Sequence, residues 1–247
     1  MTQKVFSIHA LGQESADKRI DILRQIGLTG SISEAARQAG ISYKAAWQAI
    51  HTLTNLAGVA LVDRAVGGAG GGGARLTAAA EQLLDAAAQM ERARQEVLAR
   101  FSGGAAQAVA GAGLRTSMRN NLRCTVQALQ GLESGEPIVR VVLQLPDGAQ
   151  LVSSITRESA ELLDLQPGLA VLILCKATAV KVSQQAPANG LGGKVNKVTR
   201  GQHSDEVVLT LAGGQQLVGF AARPNRLRTG SQAQADMAEN AVVLARV

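Results

Sequence analysis

The second half of the chain repeats itself, and that repeat limits the possible fold more than any other feature. Val141-Val142-Leu143-Gln144-Leu145 leads to Gly148 and then to Gln150-Leu151-Val152. Sixty-six residues later, Val207-Val208-Leu209-Thr210-Leu211 leads to Gly214 and then to Gln216-Leu217-Val218. Apolar, β-branched alternation interrupted by glycine reads as strand, tight turn, strand. Upstream, Leu122 and Val126 match Leu191 and Val195 at an offset of 69, so a short gap lies between. Each copy is a unit of about sixty residues, the size of a small β-barrel, and 184–190 is the joint between copies.

The first half has a different period. Within 15–26, Ile20, Leu23 and Ile26 recur at helical spacing, and Thr77 to Phe101 carries Leu83, Leu84, Ala87, Met90, Ala93, Val97 and Phe101 along one stripe. A stripe of that length at the end of a domain reads as a surface for a partner helix, and so predicts a homodimer. The Ala/Gly-rich, uncharged run 102–113 reads as a linker. Four segments follow: 1–101, a helical domain ending in the dimerisation helix; 102–113, the linker; and two β modules, 114–183 and 184–247.

DNA binding is read from residues 30–55, GSISEAARQAGISYKAAWQAIHTLTN. Ser33 can cap a helix whose Ala35, Ala36 and Ala39 permit close helix approach. Gly40 supplies a tight turn and Ile41 plugs the corner. Ser42 caps a second helix with Ala46, Ile50 and Leu53 inward, leaving Ser42, Tyr43, Lys44, Trp47, Gln48 and His51 on the other face. No acidic residue occurs between Glu34 and Asp63. A donor-rich face without carboxylates suits a groove lined by phosphates and base edges. Next come a strand (59–66), the glycine tract of 67–73 and the returning Arg75-Leu76-Thr77, the form of a wing whose Arg64 and Arg75 meet phosphates. The tract lacks the Gly-Lys-Ser/Thr ending of a nucleotide loop.

Bulk charge would not have pointed there. The net charge is +6, divided as +2 over 1–101 and +4 over the remainder, with no basic tail. Hydrophobic residues make up 46% but aromatics only 2%, so the cores must be built from Ala, Val, Leu and Ile. No apolar run reaches the roughly 20 residues a membrane helix needs, and the start of the chain lacks signal-peptide blocks, so a cytoplasmic protein without membrane contact is expected. Cys124 and Cys175 are too few and too far apart for a metal site and read as reduced thiols. His9, His51 and His203 stand apart with no paired nucleophile, so no catalytic residues and no enzyme are expected.

Together these halves resemble the ModE-type molybdate-responsive transcription regulators. GSISEAARQAGISYKAAW, the wing GGAGGGG and the following RLT are similar to that family's LysR-like winged helix; the repeat is similar to its tandem Mop (TOBE) modules. The resemblance implies an α+β fold: an N-terminal winged helix-turn-helix with a long dimerisation helix, and a C-terminal pair of small OB-like β-barrels. It also implies a homodimer on double-stranded operator DNA, repressing molybdate transport genes when molybdate (or tungstate) is bound.

The family's oxyanion site matches the first module residue by residue. Ser117-Met118-Arg119-Asn120 matches a Ser-x-Arg-Asn motif, Ile155-Thr156-Arg157-Glu158-Ser159 an Ile-Thr-x-x-Ser motif, and Lys176-Ala177 a Lys-Ala pair ending a strand. The resemblance implies that the Ser, Arg and Lys-Ala elements of one subunit meet the Thr and Ser of another. Met118 stands where Ala is usual and Asn121 where Gln is. The chemistry is consistent: Arg119 and Lys176 offset a dianion's charge, while Ser117, Thr156, Ser159 and the Ala177 main chain donate to its oxygens. In the second module Ala222 falls opposite Thr156, Asn225 opposite Ser159, and Glu239 roughly opposite Lys176, so a second site is not expected. The rival reading is a molybdate storage or buffering protein, which would have no use for the face between Ser31 and Leu53.

Overall fold

The computed structural model describes residues 17–65, 73–99, 116–132 and 134–246. The linker 102–113, Phe101 and the wing tip 66–72 fall outside them. Two compact units result. One takes the described residues up to 99 together with 158–164; the other takes 116–157 and 165–246.

The first unit begins with three helices, α1 (Lys18–Thr29), α2 (Ile32–Gln38) and α3 (Tyr43–Ala57). Leu23 and Ile26 of α1 are wholly buried, as the spacing of 15–26 requires, together with Ile22, while Ile20 is half-buried. The cap of α2 is Ser31, whose hydroxyl accepts from the Glu34 N–H at 3.4 Å; Ser33, the residue expected there, lies inside the first turn. Two serines two residues apart offer the same local signal, and only the one with extended backbone can cap. Gly40 turns the chain at φ 66°, a conformation L side chains avoid, and Ile41 packs against the core as the corner plug. Strands β1 (Val62–Ala65) and β2 (Gly73–Leu76) pair antiparallel, forming the two sides of the expected wing.

Helix α4 (Ala78–Ala99) follows. Leu83 and Leu84 pack on the small core of Leu23, Leu53, Leu61 and Ala80, whereas Met90 is 74% exposed. The stripe therefore does two jobs: its first turns close the winged helix, and at Met90 and Ala93 it is exposed.

The second unit is all β but for two 3-10 turns among its described residues, and its repeats fold alike. Strands β3 (Asn120–Gln130), β4 (Ile138–Gln144), β5 (Gln150–Thr156) and β6 (Ala170–Cys175) are followed by β7 (Val180–Ser183); helix α5 (Arg157–Leu162), which follows β5 in the chain, belongs from Glu158 on to the first unit. The second copy supplies β8 (Gly190–Thr199), β9 (Ser204–Leu211), β10 (Gln216–Ala222), β11 (Gln232–Met237) and β12 (Val243–Ala245). The two hairpins turn at Gly148 (φ 87°) and Gly214 (φ 82°), each donating its N–H at 2.9 Å to the carbonyl three residues back, Leu145 or Leu211.

The barrels do not coincide with the sequence copies, because the copies exchange their last strands. β7 pairs with β10 and β11, completing a closed barrel of order β10-β7-β11-β8-β9. β12 pairs with β6, giving a second sheet β12-β6-β3-β4-β5. That sheet curls on itself: the Ser153 hydroxyl on β5 donates to the Val242 carbonyl, just before β12, at 2.5 Å.

Two asparagines lock the exchange with near two-fold symmetry. Asn120 donates to the Val218 carbonyl (2.8 Å) and accepts from the Val218 N–H (2.7 Å); Asn189 does the same with Val152 at 2.9 and 2.8 Å. Each carboxamide stands in for a missing strand neighbour, satisfying main-chain groups of the other copy.

Candidate functional site

The nucleic-acid face is built on α3. Ser42 caps it, accepting from the Ala45 N–H at 3.1 Å, and Ala45, Ala46, Ala49, Ile50 and Leu53 are buried. Ser42, Tyr43, Lys44, Gln48 and His51 are exposed, as the sequence predicted. Trp47 differs. It is half-buried against the core and makes edge contacts with Tyr43 (centroids 6.2 Å apart) and His51 (5.6 Å), so it is a shelf that positions the two rings beside it. In the wing, Arg75 is exposed opposite Asp63, and Arg64 stands opposite Ala74.

Within this unit the face that is free of acids in sequence is not free of them in space. Glu161 accepts from the Ser42 N–H (2.9 Å) and hydroxyl (2.8 Å), and Glu158 lies 2.8 Å from the Lys44 ammonium. A carboxylate at the start of α3 takes the position a phosphate favours, since the first N–H groups of a helix point outward with a partial positive charge. These contacts join residues more than a hundred positions apart, and no local pattern announces them.

In the β unit, the residues expected at an oxyanion site adjoin the ladder between β3 and β6. Asn120 pairs with Cys175 at the end of the β3–β6 ladder, and Arg119 and Lys176 are the next residues, just beyond it. Both are exposed, and Ser117, also exposed, lies two residues before Arg119. Lys176 occupies the cap position of a short 3-10 turn, Ala177–Ala179, with Ala177 buried and no side chain capping the turn. The two cations and a helical-turn start thus gather at one end of the sheet. Arg119 already holds a carboxylate: its two terminal nitrogens lie 2.6 and 3.3 Å from the Glu206 oxygens. Asn120, expected among the ligands, is only 1% exposed and has its carboxamide turned to Val218, which makes it a strand clamp.

Thr156 is elsewhere. It ends β5 opposite Ile138, and β4 pairs with the far half of β3, Gln130 opposite Arg140. The run from Asn120 to Gln130 would span about 33 Å if straight. Arg119 and Thr156 therefore sit toward opposite ends of the sheet, and Ser159 follows three residues later on α5.

The comparisons with known proteins cover both halves. The TOBE domain model matches residues 116–182, and the model for the bacterial regulatory helix-turn-helix protein of the lysR family matches 18–81. The transcriptional regulator ModE of Yersinia pestis is 37% identical over 246 residues, covering 92% of each chain. The chain belongs to the ModE family. The DNA-binding transcriptional dual regulator ModE of Escherichia coli (strain K12) is also 37% identical, over 81% of this chain and 80% of its own. The molybdenum-pterin-binding protein MopB of Rhodobacter capsulatus is 33% identical over 95% of this chain and 91% of its own.

In this ModE-family chain the second copy is occupied by internal contacts. The Asn225 carboxamide, at the position of Ser159, donates to buried Asp205 (2.7 Å), which also takes the Arg200 guanidinium (2.5 Å). The 3-10 turn Glu239–Ala241 repeats Ala177–Ala179, so Ala238 answers to Lys176 and Glu239 to Ala177, one residue off the sequence alignment. Glu239 is held by Arg140 (2.6 Å) and Ser154 (2.6 Å), which bring its carboxyl down to about 2. The cation of the first copy is replaced by alanine there, and the next residue is an acid. Cys175, beside Lys176, is buried, as is Cys124, whose thiol burial pushes up to about 12. Neither is a ready nucleophile at neutral pH. Among the described residues no His, Cys, Asp or Glu cluster could hold a metal ion, and no helix is long and apolar enough to cross a membrane.

Proposed function

We propose that the chain is a cytoplasmic, homodimeric transcriptional regulator that senses molybdate or tungstate and binds double-stranded operator DNA, repressing molybdate transport genes in the ligand-bound state. The observation that carries this reading is that Arg119 and Lys176 directly adjoin the last β3–β6 pair, Asn120 and Cys175, in a ModE-family chain that also has a winged helix. Two cations beside Ser117 and the Ala177 turn suit a tetrahedral dianion. The sheet leaves Thr156 toward its other end, which supports a site completed by Thr156 and Ser159 of a second chain. The name of the Rhodobacter relative keeps the binding-protein reading alive, but the exposed face of Ser42, Tyr43, Lys44, Gln48 and His51 favours a regulator.

Calorimetric titration of the full chain with molybdate, tungstate and sulfate tests the sensor. Molybdate and tungstate, nearly equal in size and charge, are expected to bind alike, and the smaller sulfate much more weakly. No heat with molybdate would overturn the assignment.

For the DNA role, Gln48→Ala is expected to relax preference at one base pair, costing about 1–3 kcal/mol on the selected site. Arg75→Ala is expected to weaken binding to every sequence and to lower the salt slope by about one. Fluorescence anisotropy on selected and scrambled duplexes separates the two effects. Unchanged binding by both variants would reject α3 and the wing as the interface.

Self-association is assigned to the outward part of α4. Met90→Glu is the informative change, since Leu84 belongs to the winged-helix core and its replacement would damage that core. Burying a carboxylate in a helix seam is unfavourable, so sedimentation without oxyanion should show dimerisation weakened roughly tenfold or more. Self-association unchanged from wild type would move the interface off α4.

A further inference from the structure

The Arg119–Glu206 pair is the one feature of the proposed oxyanion site that the sequence comparison of the two copies does not explain. Arg119 precedes β3 in the first copy, while Glu206 lies on β9 in the second, in register with Phe220 and Thr199. The start of β3 is tied to β10 by the Asn120–Val218 bonds, and β10 pairs with β9, which carries Glu206. Their contact is two-pronged, with both terminal guanidinium nitrogens on both carboxylate oxygens at 2.6 and 3.3 Å. That fork is the same donor edge an oxyanion would use.

We propose that Glu206 competes with the oxyanion for Arg119 and thereby sets the concentration at which the protein responds. The inference rests on the oxyanion reading above. Glu206 leaves the cluster of Arg119 and Lys176 with one net positive charge instead of two. A dianion that takes the guanidinium fork must displace the Glu206 carboxylate. A dianion that takes another edge of Arg119 stays within a few ångströms of that carboxylate and is repelled. Either route costs affinity. Lys197 also acts on Glu206, helping Arg119 hold its carboxyl below the usual range, so the released carboxylate keeps a cation nearby. The pair is half open to water, with side-chain exposures of 53% and 29%, so the exchange needs no rearrangement of the barrel.

The test is a double-mutant cycle by calorimetry on the full chain with sodium molybdate at fixed pH and salt. Glu206→Gln should bind molybdate roughly two- to five-fold more tightly than wild type, the range set by exposed ion pairs. Arg119→Ala should bind more weakly, and Arg119→Ala/Glu206→Gln should bind as Arg119→Ala does. Glu206→Ala, which removes the hydrogen-bonding group as well as the charge, should also tighten binding. Thermal unfolding checks that each variant is folded. Weaker binding by Glu206→Gln would make Glu206 a residue that orients Arg119, and unchanged binding would make the pair irrelevant; both overturn the proposal. An equal gain in the Arg119→Ala background would overturn it too, because Arg119 would then not be what is contested. A wild-type chain without molybdate binding would instead reject the oxyanion reading itself.

Discussion

Arg119→Ala and Lys176→Ala are each expected to weaken molybdate binding by about ten- to a hundredfold, the effect of losing a hydrogen bond to a charged group. Ser159→Ala removes a neutral donor and should cost only roughly two- to tenfold. The ordering matters more than the sizes. A dianion withdrawn from water depends on its cations, because removing one leaves charge uncompensated, whereas a lost hydroxyl can be replaced by water. Asn225→Ala should change little, since that side chain is engaged with Asp205 in the second copy. Calorimetry on the four variants gives the order directly. Wild-type affinity in Lys176→Ala together with loss in Asn225→Ala would shift the site to the second copy.

Asn120→Ala is expected to act on stability. The side chain is buried, and its removal orphans both the N–H and the carbonyl of Val218. At about 1–3 kcal/mol for each unsatisfied group, tempered by water reaching half-buried Val218, the loss should be roughly 2–4 kcal/mol. Urea unfolding of the β unit would report it as a lower midpoint at unchanged slope. Asn120 borders Arg119, so some loss of molybdate affinity should follow, but less than in Arg119→Ala. A variant that unfolds like wild type yet binds no molybdate would restore Asn120 as a ligand.

The parts legible in the sequence were those whose signal is local. The paired hairpins announced themselves because strand alternation and a turn glycine fall within a dozen residues, and they do so twice. The inner face of α3 was legible because Ala46, Ile50 and Leu53 recur at helical spacing. Trp47 was misplaced because an amphipathic ring on the border of a helix satisfies both faces, and only the neighbouring core decides which holds it. Asn120 looked like a ligand because it lies next to Arg119; its partner Val218 is ninety-eight residues away. The same distance hid Glu206 from Arg119, and Glu158 and Glu161 from α3. The exchange of β7 and β12 left no trace in the pattern either. A short apolar strand reads identically whichever barrel receives it, so the repeat reveals how many strands there are and not which sheet each one joins.

That exchange bears on how the molecule is made. Leu172, Ile173 and Leu174 lie along the outer edge of β6 and pair with Val243, Leu244 and Ala245, sixty-nine to seventy-three residues further on. A ribosome extending the chain releases β3 to β6 long before β12 emerges, so the nascent first sheet waits with an apolar edge uncovered. An open edge of that kind can pair with the same edge of a neighbouring nascent chain. Synthesis rate and local crowding on the messenger therefore become part of the folding problem: the first sheet closes only once β12 has arrived, and a slow passage from β6 to β12 gives wrong partners time to intervene.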